Sequence, residues 1–317
     1  MFGIVALVLA SSPFALADES FVQRAERRLA ALPALAERLP ASETERAMLA
    51  DAADGRWDKF DLLSAALITE NRSQAERRRA SQRLDDHVAA ARRQLAASPD
   101  APAAELLFAY LHERILTDRF SPDCHTIGET LASGRFNCLS GTVLFVGLAE
   151  RCGVSAQAVL APSHVYARTS SGGRVEDVET TCPTWFREPV PRRSAWMRSA
   201  LGEDTRAERH RPLTSVELLA VVYYNRGVAC FARRDFAAAA ADNLVALRLD
   251  ANNAAAADNL LAAINNWALD AANHGRLDLA EELLRRGRQV APDRKDLQTS
   301  QHYIAGQQPM QSAAIGP

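Results

Sequence analysis

Three residue types that cooperate in nucleophilic catalysis follow one another between residues 134 and 183. Cys138 stands at the start of a helical run, His164 lies in the extended segment after it, and Asp177 and Glu179 lie in the next extended segment. A thiol at a helix N-terminus faces the positive end of the helix dipole, which favours the thiolate. A neighbouring imidazole can hold that thiolate and later donate a proton, and a carboxylate can fix the imidazole tautomer. This order of residues predicts a cysteine-dependent acyl-transfer site.

The carboxylate of this site has more than one candidate in the sequence. Alternate side chains of an extended segment share a face, so Asp177 and Glu179 lie on one face and Glu176 on the other. If the strand register places Glu179 beside His164, Asp177 is a second partner on the same face. Glu176 is the alternative on the opposite face.

The start of the helix can also supply hydrogen-bond donors for an oxyanion. The backbone N–H of Cys138 lies in the first turn, where such groups have no acceptor inside the helix. The side-chain amide of Asn137 is a second candidate donor. We therefore expect the oxyanion of an acyl-transfer reaction to be stabilised at this helix end.

A metal site is the alternative chemistry for the same part of the chain. Its candidate ligands are Asp123, Cys124, His125, Cys138, His164 and Cys182. None of them shows the C-x-x-C or H-x-x-x-H spacing that is typical of zinc sites. The sequence therefore predicts neither a metal nor another cofactor.

The segment resembles the transglutaminase-like superfamily of papain-like cysteine enzymes. The matching motifs are Asn137-Cys138 with the apolar helix behind them, Pro162-Ser163-His164-Val165, and Asp177-Val178-Glu179-Thr180. The resemblance implies a core in which a Cys-bearing helix packs on a small antiparallel sheet that carries the histidine and the acid. It also implies that Cys138 is the nucleophile, His164 the general base and acid, and Glu179 the orienting carboxylate, where the family usually has Asp.

The remaining segments must position this site. Helical spacing dominates residues 18–102, the transglutaminase-like core covers 103–195, and an Arg-, Pro- and Ser-rich linker covers 196–215. Residues 216–305 form repeat helices, and 306–317 form a disordered tail. These segments together predict an α+β protein with a small antiparallel sheet between helical regions.

Residues 216–305 contain two copies of a pattern that resembles tetratricopeptide repeats. The copies run from Tyr223-Tyr224 to Asn252-Asn253 and from Trp267-Ala268 to Ala291-Pro292. The second copy lies about seven residues further on than a perfect tandem would place it, which predicts a lengthened helix between them. The resemblance implies binding of a peptide or protein partner. Two repeats bury their apolar faces mainly on neighbours, so we expect them to pack on the catalytic domain or to receive that partner.

Composition limits the other classes of partner. The chain has 317 residues, a formal net charge of -2 and a pI near 6.4. This balance gives no general attraction to nucleic acid or to anionic membranes. Seven arginines lie between Arg72 and Arg93, but no aromatic residue is interleaved and one helical face stays apolar. Such a run is typical of a solvated helix surface, so we predict no nucleic-acid partner.

The first 17 residues have the form of a secretory signal peptide. Phe2 to Ala10 is apolar, and Ala15-Leu16-Ala17 has the small-x-small form of a signal-peptidase site. The apolar run is too short to span a bilayer. We therefore expect a periplasmic or secreted protein that has no stable membrane span after cleavage of residues 1–17.

Export would place five cysteines in an oxidising compartment. Five is an odd number, so at least one thiol stays unpaired within a monomer, and Cys138 is the candidate. The other four can form no, one or two disulfides, or pack as small buried residues: Cys124, Cys152, Cys182 and Cys230.

Two functions from different classes follow from these features. The first is an exported cysteine enzyme that acts on peptide or protein amides through an acyl-enzyme, as a peptidase, an amidase or a transglutaminase. The second is a catalytically inactive transglutaminase-like scaffold whose repeats bind a protein partner. The Glu in place of Asp at residue 179 leaves room for the second hypothesis.

Overall fold

The computed structural model describes residues 19–39, 42–70, 73–202 and 210–306. The predicted signal peptide, part of the predicted linker and all but the first residue of the predicted tail lie outside the described residues. Within them, no helix is both long and apolar enough to cross a membrane. The mixed α+β class predicted from the sequence is confirmed, since helices surround one small antiparallel sheet.

Helices form most of the described chain, and the strands occupy its middle. The helices are α1 (Glu19–Leu29), α2 (Pro33–Ala36), α3 (Glu43–Asp51), α4 (Leu62–Thr69), α5 (Gln74–Ala97), α6 (Ala103–Arg114), α7 (Ile127–Ser133), α8 (Cys138–Cys152), α9 (Val190–Leu201), α10 (Ser215–Ala232), α11 (Phe236–Leu249), α12 (Ala254–Asn273), α13 (Leu277–Val290) and α14 (Lys295–Ala305), with 3-10 turns at Ala52–Asp54 and Trp185–Arg187. The strands are β1 (Ala156–Ala161), β2 (His164–Ser171), β3 (Arg174–Val178) and β4 (Arg211–Leu213).

The chain is divided into two compact units. The first holds residues 44–222 and the whole sheet, and the second combines residues 19–43 with residues 223–306 of the described chain. The predicted N-terminal helical region, 18–102, therefore contributes to both units. The reason is that α1 and α2 pack on helices from the C-terminal part of the sequence.

The sheet has the strand order β3-β2-β1-β4, and all neighbours are antiparallel. In the register of β1 and β2, Ala161 lies opposite His164, while β4 pairs with β1 through Leu160 and Arg211. The segment 196–215 is thus more than the predicted linker. It contributes the end of α9 and the edge strand β4. Residues 211–213 pair with β1, and the side chain of Leu213 is buried.

The core of the first unit is built around α8 and the sheet. Helix α8 packs on β1 and β2 and also contacts α4, α5, α6 and α7, so its side chains from Leu139 to Ala149 are buried. A separate buried cluster joins α9 to the sheet through Leu201, Tyr166, Val159 and Ala161, with Met197 packed against it. Helices therefore hold the strand that carries the predicted catalytic histidine.

The second unit is a stack of antiparallel helices. Helices α11, α12, α13 and α14 pack in sequence, and α12 is 20 residues long. Helix α1 lies on α11 and α13 through its buried Val22, Ala25 and Leu29. An ion pair at 2.5 Å between Arg248 and Glu26 adds to this packing. The apolar stripe of α1 explains why it belongs here although it is far away in sequence.

Candidate active site

Cys138 is the first residue of α8, and the capping of this helix fixes its position. Asn137 has an extended backbone, and its Oδ1 accepts a hydrogen bond from the Ser140 N–H at 2.9 Å. In return the Asn137 N–H donates to the Ser140 hydroxyl at 3.0 Å. This capping box satisfies two donors at the helix start. The N–H groups of Cys138 and Leu139 lie in the same turn, where no acceptor exists inside the helix.

The first turn of α8 is also attached to the segment before α7. The Asn137 side-chain amide donates to the Pro122 carbonyl at 3.1 Å, and the Ser140 hydroxyl donates to the Cys124 carbonyl at 2.9 Å. One amide hydrogen of Asn137 is therefore engaged in holding the loop. Asn137 therefore caps α8 and ties the preceding loop to it, and both predicted oxyanion donors, the Asn137 amide and the Cys138 N–H, lie at this helix start.

Gly141 allows the loop after β3 to approach α8 closely. A Cβ atom at this position would lie 3.1 Å from Oγ1 of Thr180, so a larger residue would require the Thr180 side chain to shift. The Thr180 hydroxyl lies 3.1 Å from the hydroxyl of Thr142, which in turn hydrogen-bonds the Val165 carbonyl at 3.4 Å. These contacts join α8 to the residues that flank the histidine and the glutamate.

His164 and Glu179 form the strongest polar contact of the site. His164 is the first residue of β2, and Glu179 follows the last residue of β3. The Nε2 atom of His164 lies 2.6 Å from Oε2 of Glu179. The other carboxylate oxygen accepts hydrogen bonds from the backbone N–H of Thr181 at 2.9 Å and from its hydroxyl at 2.7 Å. Glu179 is fully buried and the side chain of His164 is 8% exposed, so water competes little for this pair.

Cys138 completes a chain of three residues. Its side chain lies beside the imidazole of His164, close enough to raise the pKa of that ring. Because Nε2 of His164 is engaged by Glu179, Nδ1 is the ring nitrogen that remains for the sulfur. The order sulfur, imidazole, carboxylate is the arrangement in which a base activates a nucleophile and a third group orients the base.

The surroundings favour the charged forms of the histidine and the glutamate. Burial alone would lower the pKa of His164, but its bonds to Cys138 and Glu179 and the negative charge of Glu179 outweigh it and raise the pKa to about 10. Burial alone would raise the pKa of Glu179, yet the bonds to His164 and Thr181 lower it below its ordinary value. At neutral pH the pair is therefore an imidazolium and a carboxylate.

The other two acidic candidates have partners of their own. Asp177 lies opposite Arg168 in the register of β2 and β3 and binds its guanidinium at 2.5 and 3.1 Å. Glu176 binds Arg193 of α9. Of the three acids that the sequence left open, Glu179 is the one bonded to His164, because it lies beyond the end of β3 and is not held in the ladder.

The five cysteines differ in their access to solvent. Cys124, Cys182 and Cys230 are buried, whereas Cys138 and Cys152 are half-buried, and all five are free thiols. No disulfide forms among the four that the sequence left open. Cavities of ≈ 240 Å³ and ≈ 710 Å³ elsewhere in the first unit are lined by none of the three site residues.

Two residues that hold the site escaped the sequence analysis. Ser140 closes the capping box, and Thr181 donates twice to the carboxylate of Glu179. A signal for Ser140 was present, because a polar residue three positions after a capping Asn is a helix-start pattern. Thr181 gave no such signal, since its role depends on the turn that follows β3.

Comparisons with protein-family models, with curated proteins and with solved structures find no match for this chain. In the described part of the chain, no group of three or more His, Cys, Asp or Glu side chains is arranged to hold a metal ion. The chemistry of the site is therefore inferred from the geometry of its own residues.

Proposed function

We propose that this chain is a cysteine-dependent acyl-transfer enzyme that acts on peptide or protein amides. The observation that carries the proposal is the 2.6 Å contact between the imidazole of His164 and the carboxylate of Glu179, with the side chain of Cys138 beside the same imidazole. The half-buried sulfur at a helix start supports it, because a nucleophile must be both activated and accessible. The reaction class is that of a peptidase, an amidase or a transglutaminase.

The first half of the reaction forms an acyl-enzyme. The Cys138 sulfur attacks the amide carbonyl carbon, and the C–S bond forms as the carbonyl π electrons move to oxygen. The oxyanion is stabilised by N–H groups in the first turn of α8. When the oxyanion collapses, the C–N bond breaks and the His164 imidazolium gives its proton to the leaving amine. Glu179 remains ionised and keeps the imidazole in place.

The second half regenerates the Cys138 thiolate and the His164 imidazolium. Neutral His164 takes a proton from water or from an incoming amine, the nucleophile attacks the thioester carbonyl, and the C–S bond breaks. Water gives hydrolysis and a second amine gives a new amide. We favour hydrolysis, because water is present at high concentration and amine transfer needs a second binding site.

The location and partner of the enzyme are part of the same proposal. The apolar start of the sequence and its small-x-small site support export to the periplasm or beyond. The C-terminal helices support binding of a peptide or protein, as the resemblance to tetratricopeptide repeats implies. A protein, peptide or cell-wall peptide substrate would fit both features.

A thiol-alkylation experiment tests the proposal with a control inside the same helix. Cys138 and Cys152 are the first and last residues of α8, and both are half-buried. Burial raises the pKa of Cys152, and its helix end carries the negative pole of the dipole. We expect iodoacetamide to modify Cys138 faster than Cys152 at neutral pH, and His164→Ala to remove this advantage without changing Cys152. Peptide mass spectrometry measures both rates in one sample.

Activity is then measured on unfolded protein substrates with and without a fluorescent primary amine. Release of new N-termini indicates hydrolysis, and incorporation of the amine indicates transfer. Equal alkylation of Cys138 and Cys152, together with activity that survives Cys138→Ala, would exclude the enzyme and leave the binding scaffold. In that case partner capture should survive Cys138→Ala and fail after deletion of residues 216–305.

A further inference from the structure

A second polar network runs beside the proposed catalytic residues. Arg168 binds Asp177 through two hydrogen bonds and lies beside Tyr166, two residues before it on the same face of β2. The hydroxyl of Tyr166 lies 3.3 Å from Nδ1 of His210. The network therefore joins β3, β2 and the residue before β4, and none of its members takes part in the reaction proposed above.

The network reaches His164 through Tyr166. Tyr166 lies two residues after His164 on the same face of β2, and the two rings are nearly parallel, with 18° between their planes and 6.4 Å between their centroids. Arg211 of β4 pairs with Leu160 of β1, so the preceding residue, His210, lies opposite Ala161. Ala161 is also the partner of His164 on the other side of β1. The two histidines thus flank the same residue of β1, about 10 Å apart across two strand spacings.

Tyr166 has no room to move away from His164. It is 1% exposed and packs with Val159, Ala161 and Leu201 in the cluster beneath α9. The charged and titratable groups that face it are Arg168, Asp177, Glu179 and His210. Burial, followed by the charge of Asp177, raises the pKa of Tyr166 to about 12, so the hydroxyl keeps its proton as a donor.

His164 needs support of this kind because it begins its strand. The pairing of β2 with β3 starts only at Ala167, opposite Val178, so the three residues from His164 to Tyr166 have a strand partner on the β1 side alone. A strand end held on one side is more easily displaced than the middle of a ladder. An imidazole that must bond on opposite edges to sulfur and carboxylate tolerates little displacement.

We propose that Tyr166 and His210 are positioning residues, which hold the first residues of β2 so that the His164 imidazole stays aligned between Cys138 and Glu179. Tyr166 supplies the rigid ring beside the imidazole. His210 fixes the tyrosine hydroxyl from the edge of the sheet. Asp177 acts in the same network through Arg168. The inference rests on the proposed function, since it assigns these residues a role in the same site.

The chain offers a matched control for the test. Tyr110 also hydrogen-bonds a histidine, with 2.9 Å between its hydroxyl and Nδ1 of His87, and it is buried in the same unit. Tyr166→Phe and Tyr110→Phe each remove one tyrosine–histidine hydrogen bond, but only the first bond belongs to the network beside His164. His210→Gln is the second variant, which removes the imidazole at the other end of the bond.

The readout is the rate of Cys138 alkylation as a function of pH, with Cys152 as the internal reference. We expect Tyr166→Phe and His210→Gln to slow alkylation of Cys138 at neutral pH by about 3- to 10-fold, the effect of one lost hydrogen bond, and to alter the pH profile of Cys138 relative to that of Cys152. Tyr110→Phe should leave the profile unchanged. Thermal unfolding of each variant identifies any that does not fold. If Tyr166→Phe does not fold, the alkylation profile of His210→Gln tests the positioning role.

The outcomes separate the inference from the proposed function. Profiles of Tyr166→Phe and His210→Gln that superimpose on the native profile, while His164→Ala still slows Cys138, would overturn the positioning role and leave the enzyme intact. An equal change in Tyr110→Phe would also overturn it, because a general loss of stability would then explain the result. If native Cys138 reacts no faster than Cys152, both proposals are wrong.

Discussion

Replacing Glu179 by Gln should disable the site while keeping its shape. The Gln amide has one acceptor and one donor group, and Thr181 presents two donors to one end of the side chain. The amide oxygen will face Thr181, so the NH2 group will face Nε2 of His164. That nitrogen must then accept a hydrogen bond, which moves the ring proton to Nδ1, the nitrogen that remains for Cys138. An Nδ1 that already carries a proton cannot take another from the thiol.

The size of the effect follows from the contact that is lost. A hydrogen bond to a charged group contributes about 1.5–3 kcal/mol, which corresponds to roughly 10- to 150-fold in rate. The wrong tautomer adds to this, and in the serine protease triad the equivalent Asp-to-Asn change costs about 10⁴ in kcat. For Glu179→Gln we therefore expect a loss of about 10²- to 10⁴-fold in Cys138-dependent hydrolysis. Thermal stability should also fall, because removing one partner of a buried charge pair is destabilising.

Glu179→Asp is the matched variant, because it keeps the charge and removes length. The carboxylate would withdraw by about 1.5 Å, one carbon–carbon bond, and the 2.6 Å contact with His164 would open. The remaining charge still favours the correct tautomer, so we expect a smaller loss, about 10-fold. Both variants are assayed by peptide hydrolysis and by Cys138 alkylation. Native rates in Glu179→Gln would refute the idea that this carboxylate sets the tautomer of His164.

Three further predictions test the same structure. The free energy of unfolding should fall as pH rises from about 6.5 towards 10, because folding raises the pKa of His164 from 6.5 to about 10 and the bonds of the charged imidazole are lost over that range. Urea titrations at several pH values measure this fall. Glu179→Gln should flatten the dependence of the free energy of unfolding on pH. Asn137→Ala should lower the free energy of unfolding by about 0.5–2 kcal/mol and also slow Cys138 alkylation. Ser73→Ala, which removes the equivalent capping box of α5, should lower it by a similar amount and leave the rate of Cys138 alkylation unchanged. Gly227→Ala should destabilise the second unit by about 1–3 kcal/mol in urea unfolding, because the new Cβ would lie 2.6 Å from the side-chain nitrogen of Asn243. Unaltered unfolding would contradict the close approach of α10 to α11.

The sequence predicted the local parts of this structure well. The start of α8 at Cys138 was predictable because the apolar run follows a capping residue, Asn137, and the end followed from Gly153. The strands around His164 were predictable from alternation and from the Gly172-Gly173 turn. Each of these features depends on residues a few positions apart. The mixed α+β class follows from the same local patterns.

The parts that were missed depend on contacts between distant residues. The Nε atom of Arg24 donates to the Val290 carbonyl at 3.3 Å, across 266 positions of sequence, and no local pattern reveals that α1 belongs with the C-terminal helices. Strand β4 has three residues and contains Pro212, so it is too short to show alternation. His210 reaches Tyr166 only because β4 joins the sheet at β1. These placements are decided by tertiary packing.

The Glu at position 179 illustrates how backbone position decides which acid a site can use. An Asp there would leave its carboxylate short of His164, because the residue lies past the end of β3 and its carbonyl is already bonded by the N–H of Cys182 at 3.2 Å. The extra methylene of Glu spans the gap to Nε2 and still lets the second oxygen meet Thr181. The length of the Glu179 side chain is therefore matched to the turn that carries it. A glutamate at this position is no reason to regard the site as inactive.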